Sequence, residues 1–161
     1  MPFRPVDLSE IPQRHPVAVF HRFWAQAAAG APLASWSAFD PIDHPAVLPW
    51  VLLLKAEGVA VPGAARAWRY AVCGTGCTEL FGFSYQGKLF GEGMPAEAAR
   101  RRMVEFDRAI EGKGAQFSHT ELPIPDRDFV AVFRGVFPFA THGEEVDRLL
   151  VVLAGEGLSI D

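Results

Sequence analysis

An unpatterned apolar run near the end of the chain limits the fold more than any other feature. Residues 149–154 read Leu-Leu-Val-Val-Leu-Ala, inside a strand predicted over 146–154. A strand without polar positions is covered on both faces, so it lies in the middle of a sheet. Two more strand-like segments precede it, at 115–122 and 129–139, with turn residues between them. Three consecutive strands predict an antiparallel meander whose last strand is central.

The spacing of apolar residues predicts the elements of the first two thirds of the chain. These elements are helices over 16–29, 74–82 and 95–110, and strands over 51–55 and 68–73. The helix over 95–110 is the clearest, because Met103, Phe106 and Ile110 recur at helical spacing while Arg and Glu residues face away. Its apolar stripe is predicted to face the core.

Length and composition limit the class of protein. A chain of 161 residues, half of them hydrophobic, is long enough to bury the core of one domain without disulfides. Its two cysteines and the absence of an apolar leader predict a cytoplasmic protein. The longest apolar stretch, 46–54, is well short of the roughly 20 residues that span a bilayer. The net charge of −4 gives no general reason to bind nucleic acid.

One basic run, Arg100-Arg101-Arg102, lies on the predicted helix over 95–110. Glu97 is placed to pair with Arg101 at i,i+4, which is typical of an exposed helix face. We therefore favour a solvated face over a site for phosphate or a partner.

Several short motifs indicate a family. They are Trp-Arg-Tyr-Ala-Val-Cys-Gly-Thr at 68–75, Glu-Leu-Phe-Gly at 79–82, Gly-Lys at 87–88, Val-Phe-Pro-Phe at 136–139, Gly143, and Val-Asp-Arg-Leu-Leu at 146–150. Together they resemble the short bacterial stand-alone PAS proteins that were once classed as a domain of unknown function. The chain departs from that family in Phe139, where Leu is usual, and in Thr-His-Gly-Glu at 141–144, where the turn is more often acidic.

The resemblance implies an α+β PAS fold. Its sheet would have five antiparallel strands in the order 2-1-5-4-3, with helices over one face and an additional N-terminal helix. We expect the PAS domain over 40–154, an N-terminal amphipathic helix and linker over 1–39, and a tail over 155–161.

The function implied by the resemblance is a non-enzymatic sensory or scaffolding module in bacterial signalling. Such a module acts through dimerisation and protein partners, and a small-molecule ligand is left open. The alternative is an α+β cone or cystatin-like fold that binds or transforms a hydrophobic small molecule. Topology separates the two, since the last strand of a PAS sheet lies in the middle.

The cofactor is left open, and no metal site or catalytic residue is predicted. The residues around Cys77 lack the Asn and Arg of a photoactive flavin motif, and no His lies in 95–110 to bind haem. Cys73 and Cys77 have no second pair at metal spacing and are interpreted as packed thiols. No Ser or His occurs in a recognisable nucleophile motif.

Two candidate sites remain. The first is a ligand pocket between the helix over 95–110 and the sheet, and its alternative is a fully packed core without a cavity. The pocket would involve Phe81, Phe90, Met94, Met103, Phe106 and Phe133. The other is a homodimer interface on the helix over 16–29, whose apolar stripe must be covered. That interface would consist of Val17, Phe20, Phe23 and Trp24. In the alternative arrangement, the helix folds back onto its own sheet in a monomer.

Overall fold

The computed structural model describes residues 3–58, 66–124 and 127–161. In these residues one antiparallel sheet carries helices on both faces. The strands are β1 (Phe3–Pro5), β2 (Val51–Ala56), β3 (Trp68–Cys73), β4 (Gln116–Ile124), β5 (Arg127–Phe139) and β6 (Arg148–Gly155). The helices are α1 (Pro16–Ala28), α2 (Thr75–Phe81) and α3 (Ala96–Gly112). Single 3-10 turns occur at Leu8–Glu10, Trp36–Ala38, Pro41–Asp43 and Leu48–Trp50. Each of the described helices is too short or too polar to span a lipid bilayer.

The sheet order is β1-β4-β5-β6-β2-β3, and every neighbouring pair is antiparallel. The last strand, β6, lies between β5 and β2, as its unpatterned apolar run predicts. The last five strands of this order, read from β3 to β4, follow the predicted 2-1-5-4-3.

The predicted number of strands is wrong, because β1 adds a sixth. It pairs with β4 in the register Phe3↔Thr120 and Pro5↔Ser118. β4 therefore lies inside the sheet, between β1 and β5, and its polar residues Ser118 and Thr120 are both buried. Three residues that end in a proline carry too little strand signal to be recognised in the sequence.

The first face of the sheet is covered by α2 and α3. The side chains that point there from the two central strands include Val132, Val136, Val151 and Leu153, and Phe106 of α3 packs on them. The backbone of α3 ends at Lys113, which adopts the left-handed conformation with φ 52°. The predicted helix over 95–110 is thus confirmed, with its apolar stripe facing the core.

The second face is covered by α1. Val17, Phe20 and Trp24 are buried there against Phe137 and other residues of the same sheet. The ring of Phe20 meets that of Phe137 edge-on with centroids 5.0 Å apart, and Trp24 Nε1 donates to the Pro138 carbonyl at 2.9 Å. His15 caps the helix, because its Nδ1 accepts from the Val17 amide at 3.1 Å.

This packing corrects the predicted interface on α1. Val17, Phe20 and Trp24 contact the core of their own chain, and Phe23 is half-buried beside them. The helix folds back onto its own sheet, which was the alternative arrangement. Side chains that are covered within one chain are not available to a second copy.

The segments outside the predicted domain also contact it. Residues of 1–39 belong to the core on the second face, and the Ile160 amide donates to the Arg14 carbonyl at 2.8 Å. The boundaries at 39/40 and 154/155 stay predictions.

The turn from β3 into α2 depends on Gly74. A Cβ atom added there would lie 2.4 Å from the carbonyl oxygen of Pro49, closer than real Cβ atoms approach any atom. Glycine therefore lets the end of β3 approach the 3-10 turn Leu48–Trp50. This contact fixes where α2 starts, and with it the wall that α2 contributes to the site described next.

Candidate functional site

A cavity of about 260 Å³ lies between α3, the loop over 83–95 and the first face of the sheet. Most of its lining is apolar or aromatic, and two arginines complete it. The lining residues are Leu52, Leu54, Tyr70, Phe81, Phe83, Tyr85, Phe90, Gly93, Met94, Pro95, Arg102, Phe106, Leu122, Arg134, Val151 and Leu153. Engineered apolar cavities of about 150 Å³ bind benzene, so this volume is enough for a small organic molecule.

Four of the six predicted pocket residues line the cavity: Phe81, Phe90, Met94 and Phe106. Met103 packs against the same core but does not line the cavity.

Phe133 does not line the cavity as predicted, because its side chain points to the second face of the sheet. Its ring lies 5.4 Å from that of His15 and 5.1 Å from that of His119, between centroids. Side chains alternate along a strand, so the residue that β5 directs into the cavity is the neighbouring Arg134.

Stacked aromatic rings form the wall near β3. Tyr85 lies at their centre, with its ring centroid 5.0 Å from Tyr70, 5.3 Å from Phe81 and 4.7 Å from Phe83. Ring pairs at these distances stabilise one another beyond the area they bury. Contacts among these rings therefore stabilise the wall.

The loop over 83–95 is fastened to the outer edge of β3. The Gly87 amide donates to the Tyr70 carbonyl at 2.8 Å, and the Tyr70 amide donates to the Lys88 carbonyl at 2.9 Å. Further along, the Phe90 amide donates to the Trp68 carbonyl at 2.8 Å. These bonds hold Phe90 over the cavity, where its ring contacts Phe106 at 5.0 Å between centroids. The loop thus forms a fixed rim.

A buried ion pair lies beside the cavity. Arg134 Nη2 and Nε donate to Glu105 Oε1 at 2.6 Å and 3.2 Å. The two side chains are only 4% and 5% exposed. Glu105 therefore compensates the charge of Arg134, as a buried cation requires.

Arg102 is a second cation at the cavity, and it is not compensated in this way. Among the described residues, no hydrogen bond or ion pair to its guanidinium is found. Its Cζ atom lies 5.0 Å above the ring of Phe3, a cation–π contact that supplies no hydrogen-bond acceptor. Burial, and after it the positive charge of Arg134, lower the pKa of Arg102 to about 9, against the opposing effect of Glu105. The side chain remains a cation at neutral pH.

Tyr70 and Cys77, two other titratable groups near the cavity, are neutral. Burial raises the pKa of Tyr70 to about 12, so the phenol keeps its proton. Burial also raises the pKa of Cys77 to about 12, and its thiol lies 3.8 Å from the Leu153 carbonyl. Cys73 lies 3.4 Å from the Thr78 hydroxyl, between Sγ and Oγ1. Across the described ranges, no group of three or more His, Cys, Asp or Glu side chains could hold a metal ion.

The arginine run on α3 is divided between solvent and cavity. Arg100 and Arg101 both pair with Glu97, the latter at 3.6 Å, which confirms the exposed face predicted for them. Arg102 is one residue further on, and a helix turns by about 100° per residue. That rotation brings Arg102 to the cavity. The prediction that the whole run lies on a solvated face therefore does not hold for Arg102.

No protein-family model matches the chain. No curated protein matches it either. Among solved structures, the chain is similar to a sensory box histidine kinase/response regulator from Burkholderia thailandensis E264. The TM-score is 0.42 and the identity 9%, over 72% of this chain and 84% of that chain. A likeness of this degree carries no functional conclusion.

Proposed function

We propose that this chain is a PAS-type sensory module that binds a small, mainly apolar molecule in the cavity under α3. The cavity is the observation that carries the proposal. Its aromatic wall and fixed rim hold open about 260 Å³ that a fully packed core would fill. An apolar molecule entering it would exchange contact with water for contact with these rings.

The interior position of β6 favours the PAS-type interpretation over the cone or cystatin-like alternative. The cone or cystatin-like alternative includes a hydrophobic ligand and the PAS interpretation leaves a ligand open, so ligand binding is compatible with both.

A binding role, as opposed to catalysis, is supported by the chemistry of the lining. Its ionisable groups are two arginines and two tyrosines. Burial raises the pKa of Tyr70 and of Tyr85, so neither phenol is prepared to act as a base. We propose that the module works without catalysing a reaction and passes its signal to protein partners.

The homodimer stays a proposal, and its contact surface would have to use residues other than the buried Val17, Phe20 and Trp24. The inner face of α1 is occupied by its own sheet. Sedimentation of the intact chain measures the oligomeric state directly, and a dimer would have to use residues that remain exposed.

Binding can be tested with toluene, a neutral apolar probe that is smaller than the cavity. We expect saturable binding in saturation-transfer difference NMR. Leu122→Trp should abolish it, because Leu122 lines the cavity and a larger side chain would occupy the space. Val104→Trp is the matched control, since Val104 lies on the exposed side of α3. Native mass spectrometry of freshly purified protein would show whether a molecule is already retained.

No saturable toluene binding to the wild-type protein, together with no retained molecule, would contradict the proposal. Equal binding to the wild type and to Leu122→Trp would place the site elsewhere.

A further inference from the structure

The charges around the cavity do not balance. Two guanidinium groups, those of Arg102 and Arg134, line it. The carboxylate of Glu105 pairs with Arg134. Glu105 accepts two hydrogen bonds from Arg134, at 2.6 Å and 3.2 Å, and none from Arg102 is found among the described residues, so it compensates Arg134. One positive charge therefore remains at the wall of an otherwise apolar cavity.

The uncompensated charge belongs to a group with many donors. A guanidinium has five N–H donors, and none of those of Arg102 meets an acceptor among the described residues. The face of Phe3 attracts the charge but accepts no conventional hydrogen bond. Burial is the main cause that lowers the pKa of Arg102, and the neighbouring Arg134 adds to it, while Glu105 acts in the opposite direction.

We propose that the cavity binds an apolar monocarboxylate and that Arg102 binds its carboxylate group. The inference rests on the proposed function, since it names the class of ligand for the same cavity. A guanidinium matches a carboxylate with two parallel hydrogen bonds. The remaining wall, with Leu54, Phe106 and Val151, suits an apolar body such as an aryl or short alkyl group.

The size and charge of the site define the class further. One uncompensated positive charge balances one negative charge, so a dicarboxylate or phosphate dianion would bring an unpaired charge into an apolar site. A volume of about 260 Å³ is enough for a single ring with a short side chain.

The test compares two probes of nearly equal shape, 3-phenylpropanoate and the neutral 3-phenylpropanamide, by isothermal titration calorimetry at pH 7. We expect the wild-type protein to bind the carboxylate about 10- to 100-fold more tightly than the amide, as charge-assisted hydrogen bonds give. Arg102→Met should remove this preference by weakening carboxylate binding more than amide binding, and the amide binding that remains verifies that the variant folds with its cavity intact.

Arg101→Met is the matched control, because it removes the same charge from the neighbouring exposed position. It should keep the preference for the carboxylate. Retention of the preference in Arg102→Met, or its loss in Arg101→Met, would overturn the assignment to Arg102.

The wild-type comparison needs no variant and separates the two proposals. If the amide binds as well as the carboxylate, or better, the inference fails while the proposed function stands. If neither probe binds but toluene does, the inference likewise fails alone; both proposals fail if toluene does not bind either and no molecule is retained.

Discussion

Replacing Phe106 by alanine tests the packing that encloses the cavity. Phe106 is 1% exposed, lies on the inner stripe of α3 and contacts the ring of Phe90. Truncation of a buried phenylalanine costs about 3 to 5 kcal/mol, the sum of lost transfer energy and the void that remains. One side of the Phe106 ring already borders the cavity, so its truncation removes fewer packing contacts on that side. We therefore expect the free energy of unfolding to fall by about 3 kcal/mol.

Urea denaturation followed by far-ultraviolet circular dichroism measures this loss. Phe83→Ala is the matched control: Phe83 lines the same cavity but is 48% exposed, so its truncation should cost less than about 1 kcal/mol. A loss below about 1 kcal/mol for Phe106→Ala, with an unchanged denaturant slope, would refute the position of α3 on the sheet.

Three further predictions concern the charge and packing of the fold. Burial lowers the pKa of His15 from 6.5, so the unfolded chain binds its proton more readily. The contribution of His15 to stability is present above pH 6.5 and is lost as the pH falls through the lower pKa of the folded state. Denaturant titrations should show a decrease in the free energy of unfolding from about pH 7 to about pH 5, and this decrease should be smaller in His15→Asn. An equal decrease in both proteins would contradict this role. Gly135→Ala should cost about 1 to 3 kcal/mol in the same titrations, because its Cβ would lie 2.8 Å from Val17 of α1. Gly155→Ala, with open space around the new methyl group, is its control, and similar losses would argue against the close packing of α1. Arg102→Met should raise the free energy of unfolding by about 1 kcal/mol or more, since it removes an uncompensated charge and keeps an apolar stem; a clear loss of stability would show that the charge has a partner.

Much of the fold could be predicted because local patterns and tertiary environment agree. The unpatterned run of β6 predicted a covered strand, and both faces of the sheet are indeed covered. The turn residues between strands set their boundaries within a few positions. β1 was missed because a three-residue strand is defined by its partner β4, which the local sequence does not reveal.

The candidate site was predicted less completely, because its residues come from distant parts of the chain. Phe81 and Phe106 were found, since each belongs to an apolar element that had to face the core. Phe133 was assigned to the wrong face, because β5 is apolar on both sides and its alternation gives no direction. Arg102 and Arg134 were missed, since an arginine in a run or in a strand is recognised as buried only when its neighbours in space are known.

The measurement that tests the central claim most directly is a titration of 15N-labelled protein with 3-phenylpropanoate, followed by amide chemical shifts. The proposed site predicts saturable shifts at residues around the cavity, in 52–54, 102–106 and 151–153. Arg102→Met should reduce them at the same probe concentration. Shifts confined to α1 and its neighbours, or no saturable shifts at all, would contradict binding in the cavity under α3.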